Sequence, residues 1–259
     1  MPIDLSAADM VLIAGAGLLA GIVNAFAGGG TLVAYTVLLA VGIPPVTANI
    51  SSSVGLLPSY AGSARAYRSE LREAAPLVPR LVAAALIGGL VGAALLLTIP
   101  ERGFELLVPP LILISVILLA LQPKLAAWVR SRRGDDHPSS VPVGLLLAVF
   151  ACGAYGSFFG AGLGVMLLAA LGAFLTVGIQ TDNALKAVLS FVAVGAGVVV
   201  FIIAGGVAWA ASLLLVVGSF IGGWVGGHAT RRLRPDVLRA VIVVLGTIVA
   251  LVLAVRTYG

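Results

Sequence analysis

The stretch "NAFAGGGTLVAY" (residues 24–35) places three consecutive glycines inside one of the most apolar parts of the chain. Each glycine in a helix interior costs about 1 kcal/mol relative to alanine, so three in a row favour an interruption of the helix. A related stretch, "FFGAG" (residues 158–162), follows at an offset of 132 residues from "FAGGG". The sequence therefore predicts a glycine-rich helix break that occurs twice, once in each half of the chain.

The composition predicts an integral membrane protein made of helices. Of the 259 residues, 61% are apolar and 10% are charged, whereas a soluble domain carries about 25% charged residues. Several runs approach or exceed the roughly 18 apolar residues that a membrane-spanning helix requires; they are residues 81–99, 106–121, 187–204, 208–227 and 237–255. The net charge of +5 does not indicate a nucleic-acid partner, because the basic residues lie in short loops beside these runs.

A second repeated motif divides the chain into two halves. "LIGGLVGAALLLTIPE" (residues 86–101) aligns without a gap with "FIGGWVGGHATRRLRP" (residues 220–235), sharing the pattern Ile-Gly-Gly-x-Val-Gly. The longest polar stretch, "QPKLAAWVRSRRGDDHPSS", lies between the two copies. We therefore predict a first membrane repeat over residues 1–121, a cytoplasmic linker over 122–141 and a second membrane repeat over 142–259.

The charges of equivalent loops predict that the two repeats have opposite orientations. Cytoplasmic loops are rich in Lys and Arg, and residues 65–80, 122–140 and 231–239 fit this pattern, while the loops at 100–104 and 204–212 carry little or no net charge. Equivalent loops then lie on opposite sides of the membrane. The predicted fold is an all-α integral membrane protein of the cell inner membrane, with two inverted repeats, each a glycine-broken short helical hairpin plus three transmembrane helices.

The two predicted breaks are candidates for an anion site. Each hairpin arm is expected to have 13–16 residues, too short to cross the bilayer, so the breaks fall near its middle. A helix that begins there presents free N–H groups and the positive end of its dipole. The expected donors are the N–H groups of Gly30, Thr31 and Leu32 in the first half and of Gly162, Leu163 and Gly164 in the second. The alternative is that these glycines only allow close helix packing.

Polar residues near each break extend the candidate site. Asn183, Lys186 and Ser190 share one helix face at spacings of three and four, and a cation on this face would suit an anion. The alternative for Lys186 is a side chain that reaches the cytoplasmic interface or pairs with Asp182. The predicted substrate-binding residues are Asn24, Gly29, Gly30, Thr31, Asn49, Ser52, Ser53, Gly162, Leu163, Asn183, Lys186 and Ser190.

Enzyme signatures are absent from the sequence. It has no His/Cys metal pattern, no phosphate-binding Walker loop and no Gly-x-Ser-x-Gly motif. Only Asp182 and Lys186 approach the acid–base pair that an intramembrane enzyme would need. We expect no catalytic residue, no metal and no cofactor, and any active transport would be secondary because no nucleotide site is present.

Long stretches of the sequence resemble the sulfite exporter TauE/SafE family of membrane permeases. The resemblance is carried by "AGIVNAFAGGGTLVAYTVLLAVGIPPVTANISSSVGLLPSYAGSARAYR" (residues 20–68), and "FFGAGLG", "TDNALK" and "IGGWVGG" look like its second copy. It covers nearly the whole chain. By position, the resemblance implies a substrate region at Gly29, Gly30, Thr31, Asn49, Ser52, Gly162, Asn183 and Lys186. The second break reads "GAG", so the two donor clusters are expected to be unequal.

The resemblance implies a secondary transporter that exports or takes up small sulfur-containing anions, such as sulfite, sulfoacetate or other sulfonates. Alternating access is the expected mechanism. A channel-like conduit for small anions and a permease for small carboxylates are the alternatives, and an intramembrane enzyme or assembly factor is a third. The expected partners are the anion and membrane lipid, and stripes of small residues leave a homodimer open.

Overall fold

A computed structural model describes residues 5–26, 29–131, 141–175, 177–229 and 235–258. Within these ranges the secondary structure is α-helical and contains no strand. The helices are α1 (Ala7–Phe26), α2 (Gly30–Ala40), α3 (Pro45–Ala66), α4 (Arg68–Glu73), α5 (Val78–Thr98), α6 (Glu101–Ser131), α7 (Val143–Phe158), α8 (Leu163–Phe174), α9 (Ile179–Ala204), α10 (Trp209–Ala229) and α11 (Pro235–Tyr258).

The described helices have the lengths and the surface of a multi-pass membrane protein. Five of them are long and apolar enough to cross a bilayer: α1, α5, α6, α9 and α11. Large apolar side chains are exposed, among them Val11 (74%) and Ile203 (81%), whereas Asn49, Ser51 and Ser52 on α3 are fully buried. This arrangement suits lipid on the outside and polar groups in the interior, because an unsatisfied polar group in hydrocarbon costs several kcal/mol. The prediction of an all-helical membrane protein is confirmed.

Both predicted helix interruptions are present. α1 ends at Phe26 and α2 begins at Gly30, while α7 ends at Phe158 and α8 begins at Leu163. Gly28, which we placed in the first break, lies outside the described residues. The arms do not all have the predicted 13–16 residues: α7 has 16, but α1 has 20, α2 has 11 and α8 has 12.

The extra length of α1 has a local cause at its first turn. The Ser6 hydroxyl accepts a hydrogen bond from the N–H of Asp9 at 3.2 Å, and the Asp9 carboxylate accepts one from the N–H of Ser6 at 3.0 Å. This reciprocal capping box stabilises a helix start several residues before the most apolar part of the segment. The predicted arm length is therefore wrong for α1, because the cap extends the helix toward the N-terminus.

Helices of one half pack mainly on helices of the other half. The most extensive contacts join α1 to α10 and α5 to α7, followed by α3 with α10, α5 with α9, α6 with α11 and α3 with α9. Glycines allow the closest of these approaches: a Cβ on Gly222 would overlap the carbonyl of Leu18, and a Cβ on Gly88 would overlap that of Phe150. The glycines of the two "IGG" motifs thus serve backbone packing, as small residues do in membrane helices.

The end of α6 enters the segment that we predicted to be a linker. The helix continues to Ser131 and passes through Pro123, so residues 122–131 are helical, and residues 132–140 lie outside the described ranges. Near this end, the Nε of Arg239 donates a hydrogen bond to Oε1 of Gln122 at 3.1 Å. This bond joins α6 to α11 next to the basic loop that precedes α11.

Candidate functional site

The two helix breaks lie against each other in the interior. A Cβ built on Gly160 would lie 3.8 Å from Cγ2 of Thr31, so the loop before α8 contacts the first turn of α2. At 1.5 Å per residue, α2 and α8 extend about 17 and about 18 Å from this contact, close to half of a bilayer core about 30 Å thick. Two helices thus begin side by side, and each is about half as long as the bilayer core is thick.

Asn24 connects the two sides of the first break. Its Oδ1 accepts a hydrogen bond from the backbone N–H of Gly30 at 2.9 Å, and its Nδ2 donates to the hydroxyl of Ser59 on α3 at 3.0 Å. The side chain is 7% exposed. Asn24 therefore fixes the start of α2 relative to α1 and α3.

Left-handed glycines shape the second break. Gly160 and Gly162 have φ values of 77° and 82°, a region that residues with a Cβ rarely adopt. The carbonyl of Ala161 between them accepts a hydrogen bond from the Tyr155 hydroxyl at 2.7 Å, and Oγ of Ser115 on α6 lies 2.9 Å from both of these oxygens. The two hydroxyls hold this loop in place and satisfy a carbonyl that no helix ladder pairs.

Only some of the six backbone N–H groups expected to bind an anion are free of other hydrogen bonds. Internal acceptors occupy three of the six amides, because Gly30 donates to Asn24, Leu32 donates to the carbonyl of Gly29, and Leu163 donates to that of Gly160. For the N–H groups of Thr31, Gly162 and Gly164, no acceptor occurs among the described residues. The free amides therefore come from both breaks, one from the first and two from the second.

Asn49 attaches α3 to the second break. The fully buried side chain donates from Nδ2 to the carbonyl of Phe158 at 2.8 Å, and within the described residues its Oδ1 has no hydrogen-bond partner. The hydroxyls of Ser52 and Ser53 donate instead to the backbone carbonyl of Asn49, at 2.9 and 3.0 Å. The structure thus brings Asn49 to the breaks, while Ser52 and Ser53 bond to their own helix.

Lys186 and its neighbours form a separate polar group near the start of α9. The Nζ of Lys186 donates to Oδ1 of Asn183 at 2.9 Å, Asp182 is fully buried, and Ser190 is 2% exposed. No described hydrogen bond joins Lys186 or Ser190 to either break. These residues share a helix face as the spacing indicated, but the described contacts do not include them in the group around Thr31 and Gly160.

Aromatic rings lie next to the second break. Tyr35 on α2 contacts Phe159 edge to face with ring centroids 5.3 Å apart, and Phe104 on α6 contacts Phe158 at 5.9 Å. Tyr35 is fully buried, and its hydroxyl has no hydrogen-bond partner among the described residues. A second polar atom without a partner therefore belongs to a residue that touches this break.

Three serines that stabilise the breaks were missed by sequence reasoning. Ser59 binds Asn24, Ser115 contacts the Ala161 carbonyl, and Ser157 donates to the carbonyl of Ala193 on α9 at 2.7 Å. All three are buried. The only signal in the sequence is a hydroxyl inside an apolar run, as in "LILISVILLA" (residues 111–120), which has to find a partner within the protein.

The chemistry of this group suits a small polar ligand with negative charge. Free backbone amides at the starts of α2 and α8 point to an anion, because such helix ends combine hydrogen-bond donors with a positive dipole end. The described residues contain no cluster of His, Cys, Asp and Glu that could hold a metal ion. Binding would therefore depend on hydrogen bonds and helix dipoles at the two breaks.

Comparison with known proteins finds relatives that are named as membrane transporters. The chain is 27% identical over 246 residues to "Probable membrane transporter protein ORF9" of Sinorhizobium sp, covering 93% of this chain and 89% of that protein. It is 25% identical over 245 residues to "Probable membrane transporter protein YfcA" of Escherichia coli K12, with coverages of 93% and 88%. It is 26% identical over 233 residues to a "Probable membrane transporter protein" of Haemophilus influenzae, covering 88% of each.

No solved structure matches the chain. The family model described as sulfite exporter TauE/SafE matches residues 13–253, which include both helix breaks, the whole of α5, α6 and α9, and most of α1 and α11. The chain is thus a multi-pass membrane transporter that belongs to the TauE/SafE sulfite exporter family.

Proposed function

We propose that the chain is a secondary transporter of small sulfur-containing anions, such as sulfite or organic sulfonates, which bind between the two helix breaks. The observation that carries this proposal is the contact of Thr31 with Gly160, because it brings the starts of α2 and α8 together. Both helices have more than two turns, enough to present a dipole. The family description supports a sulfur oxyanion as the substrate.

The same proposal includes two inverted repeats with a boundary between residues 121 and 142. Exchanging α1 with α7, α2 with α8, α3 with α9, α5 with α10 and α6 with α11 turns each major packing pair either into another observed pair or into itself. For example, α1 on α10 becomes α7 on α5. This exchange supports a pseudo-twofold axis, and the opposite loop charges support an axis lying in the membrane plane.

Individual contacts obey the same exchange. Gly222 approaches the carbonyl of Leu18, and Gly88 approaches the carbonyl of Phe150; these four residues correspond in pairs at the offsets of 134 and 132. A site on such an axis is exposed alternately to each side when one set of helices tilts against the other. Alternating access is therefore the mechanism we propose.

In this proposal the hydroxyl and the N–H of Thr31 and the N–H groups of Gly162 and Gly164 donate to the anion, and Asn24 and Gly29 shape the first break. Lys186, beside Asn183, contributes a positive charge from the cytoplasmic side rather than a direct contact. Ser52, Ser53 and Ser190 act through the packing of α3 and α9. The partners are the anion and the surrounding lipid, with a homodimer as a further proposal.

The test is counterflow in proteoliposomes, with two matched substitutions on α2. Thr31→Val removes a hydroxyl at the break and keeps the shape of the side chain, whereas Thr36→Val removes a hydroxyl that bonds only to its own helix, at the carbonyls of Leu32 and Val33. A hydrogen bond to a charged group contributes about 1.5–3 kcal/mol, so Thr31→Val should weaken apparent substrate affinity about tenfold or more. Thr36→Val should match the unsubstituted chain.

Two results would count against the proposal. Equal affinity in the two variants would show that the hydroxyl of Thr31 does not bind the anion, and would remove this side chain from the proposed site. Labelled sulfonate that enters no faster when unlabelled sulfonate is inside would indicate a channel-like conduit instead, because only a carrier shows accelerated exchange.

A further inference from the structure

One hydrogen-bond acceptor on a side chain that contacts the end of α7 remains unused. Oδ1 of Asn49 is fully buried, and no described residue donates a hydrogen bond to it. A buried polar atom left unsatisfied costs about 1–3 kcal/mol. Buried polar atoms in proteins are nearly always paired, so an unpaired oxygen calls for an explanation, and pairing with a bound ligand is one explanation.

The orientation of this amide is fixed by its neighbour. The other end of the Asn49 side chain lies 2.8 Å from the carbonyl oxygen of Phe158, and a carbonyl can only accept. The Nδ2 group must therefore face Phe158, because a flipped amide would place two acceptors against each other. The atom left without a partner is the oxygen, which needs a donor.

The unused oxygen belongs to a side chain of α3 that contacts the residue preceding the second break. Phe158 is the last residue of α7, two positions before Gly160, which contacts Thr31. The ring of Tyr35, whose hydroxyl also lacks a described partner, contacts Phe159 from the α2 side. Two unpartnered polar side chains, both fully buried, thus accompany the free amides of α2 and α8.

We propose that Asn49 is a specificity-determining residue that selects anions carrying a hydrogen-bond donor of their own. The ligand class is a singly charged sulfur oxyanion with one O–H or N–H group, such as hydrogen sulfite or a sulfonate with a hydroxyl group on the next carbon. This inference rests on the proposed function. The amides hold the negative oxygens, while the O–H or N–H group donates to Oδ1 of Asn49.

The physical basis is a difference between two otherwise similar ligands. A fully deprotonated head group offers only lone pairs, so it leaves the Asn49 oxygen unpaired in a buried site. A binding site built to pair with a donor discriminates strongly against an analogue that lacks it. The Tyr35 hydroxyl does not discriminate between the two kinds of ligand, because it can donate a hydrogen bond to either anion.

The experiment compares ethanesulfonate with 2-hydroxyethanesulfonate, which carry the same charge and differ by one hydroxyl. Binding is measured calorimetrically on the purified full-length chain in detergent. We expect the hydroxylated ligand to bind about tenfold more tightly, because satisfying a buried acceptor is worth about 1–3 kcal/mol. This first comparison needs no substitution, so it does not depend on the folding of a variant.

Two variants assign the preference to Asn49. Asn49→Leu is similar in size and removes the acceptor, so it should bind both sulfonates with equal affinity. Ser63→Ala, on the same helix, removes a hydroxyl that bonds only to the carbonyl of Ser59 within α3, so it should keep the preference of the unsubstituted chain. A preference that persists in a folded Asn49→Leu protein would overturn the role of Asn49.

The outcomes separate this inference from the proposed function. Equal binding of the two sulfonates to the unsubstituted chain would overturn the selection of donor-bearing anions and leave an anion transporter intact. If neither sulfonate nor sulfite binds, the proposed function is wrong, and the inference about Asn49 is wrong with it. Tighter binding of the hydroxylated ligand that is lost in Asn49→Leu would support both.

Discussion

Replacing Asn24 by alanine should destabilise the fold more than removing the side-chain hydroxyl of any neighbouring serine. The substitution deprives the buried N–H of Gly30 of its acceptor, 2.9 Å away, and removes the bond to Ser59 at 3.0 Å. An orphaned buried donor costs about 1–3 kcal/mol, and a hydrogen bond between membrane helices averages about 0.6 kcal/mol. Asn24→Ala should therefore lower the free energy of unfolding by about 2–3 kcal/mol.

Two neighbouring substitutions provide a graded comparison. Ser59→Ala removes only the bond from Asn24 Nδ2 and a bond within α3, so about 1 kcal/mol is expected. Ser63→Ala removes a hydroxyl that bonds only to the carbonyl of Ser59 in its own helix, so the free energy of unfolding should fall by only a few tenths of a kcal/mol. Asn24→Ala combined with Ser59→Ala should cost less than the sum, because the two residues share a bond.

The assay is reversible unfolding in mixed micelles, titrated with a denaturing detergent and followed by circular dichroism. The reasoning would be refuted if Asn24→Ala cost no more than Ser63→Ala, since the amide of Gly30 would then find another acceptor without loss. It would also be refuted by strict additivity of the double substitution.

Two further predictions concern helix packing and the second break. Gly222→Ala should lower the midpoint of thermal unfolding, because its new Cβ overlaps the Leu18 carbonyl and overpacking costs about 1–3 kcal/mol. In Gly15→Ala the new Cβ meets no atom within 4 Å, so the midpoint should stay unchanged or rise. Equal midpoints in the two variants would contradict the role of Gly222 in packing. Ser115→Ala and Tyr155→Phe should each have a small effect, because either hydroxyl can bond to the break carbonyl. The double variant should cost more than the sum, and additive losses would show that the two hydroxyls do not substitute for each other.

The helices and their interruptions could be predicted from the sequence because both are local properties. A run of apolar residues predicts a span wherever it occurs, and the three glycines at 28–30 disfavour a continuous helix independently of their neighbours. The same reasoning gave the wrong arm length for α1. It considered only the apolar residues and missed the cap formed by Ser6 and Asp9.

The site could be predicted only in part because the state of each amide depends on contacts distant in sequence. Gly30 was expected to be a free donor, but Asn24 occupies its N–H across the break. Ser115 carries no motif, and it reaches the second break only because α6 packs on α8. A polar residue in an apolar run must have a hydrogen-bond partner within the protein. Which residue that partner is depends on how the helices pack.

The crossed packing of α1 on α10 and of α7 on α5 constrains how the molecule is made and how it moves. A chain cut between residues 131 and 141 would give two fragments, each with a glycine-lined helix face that only the other fragment covers. The fragments should therefore accumulate only when they are produced together. For the same reason, if the protein opens by the alternating access proposed above, α1 should move with α10 and α7 with α5. Each mobile unit should then combine helices from both halves of the chain.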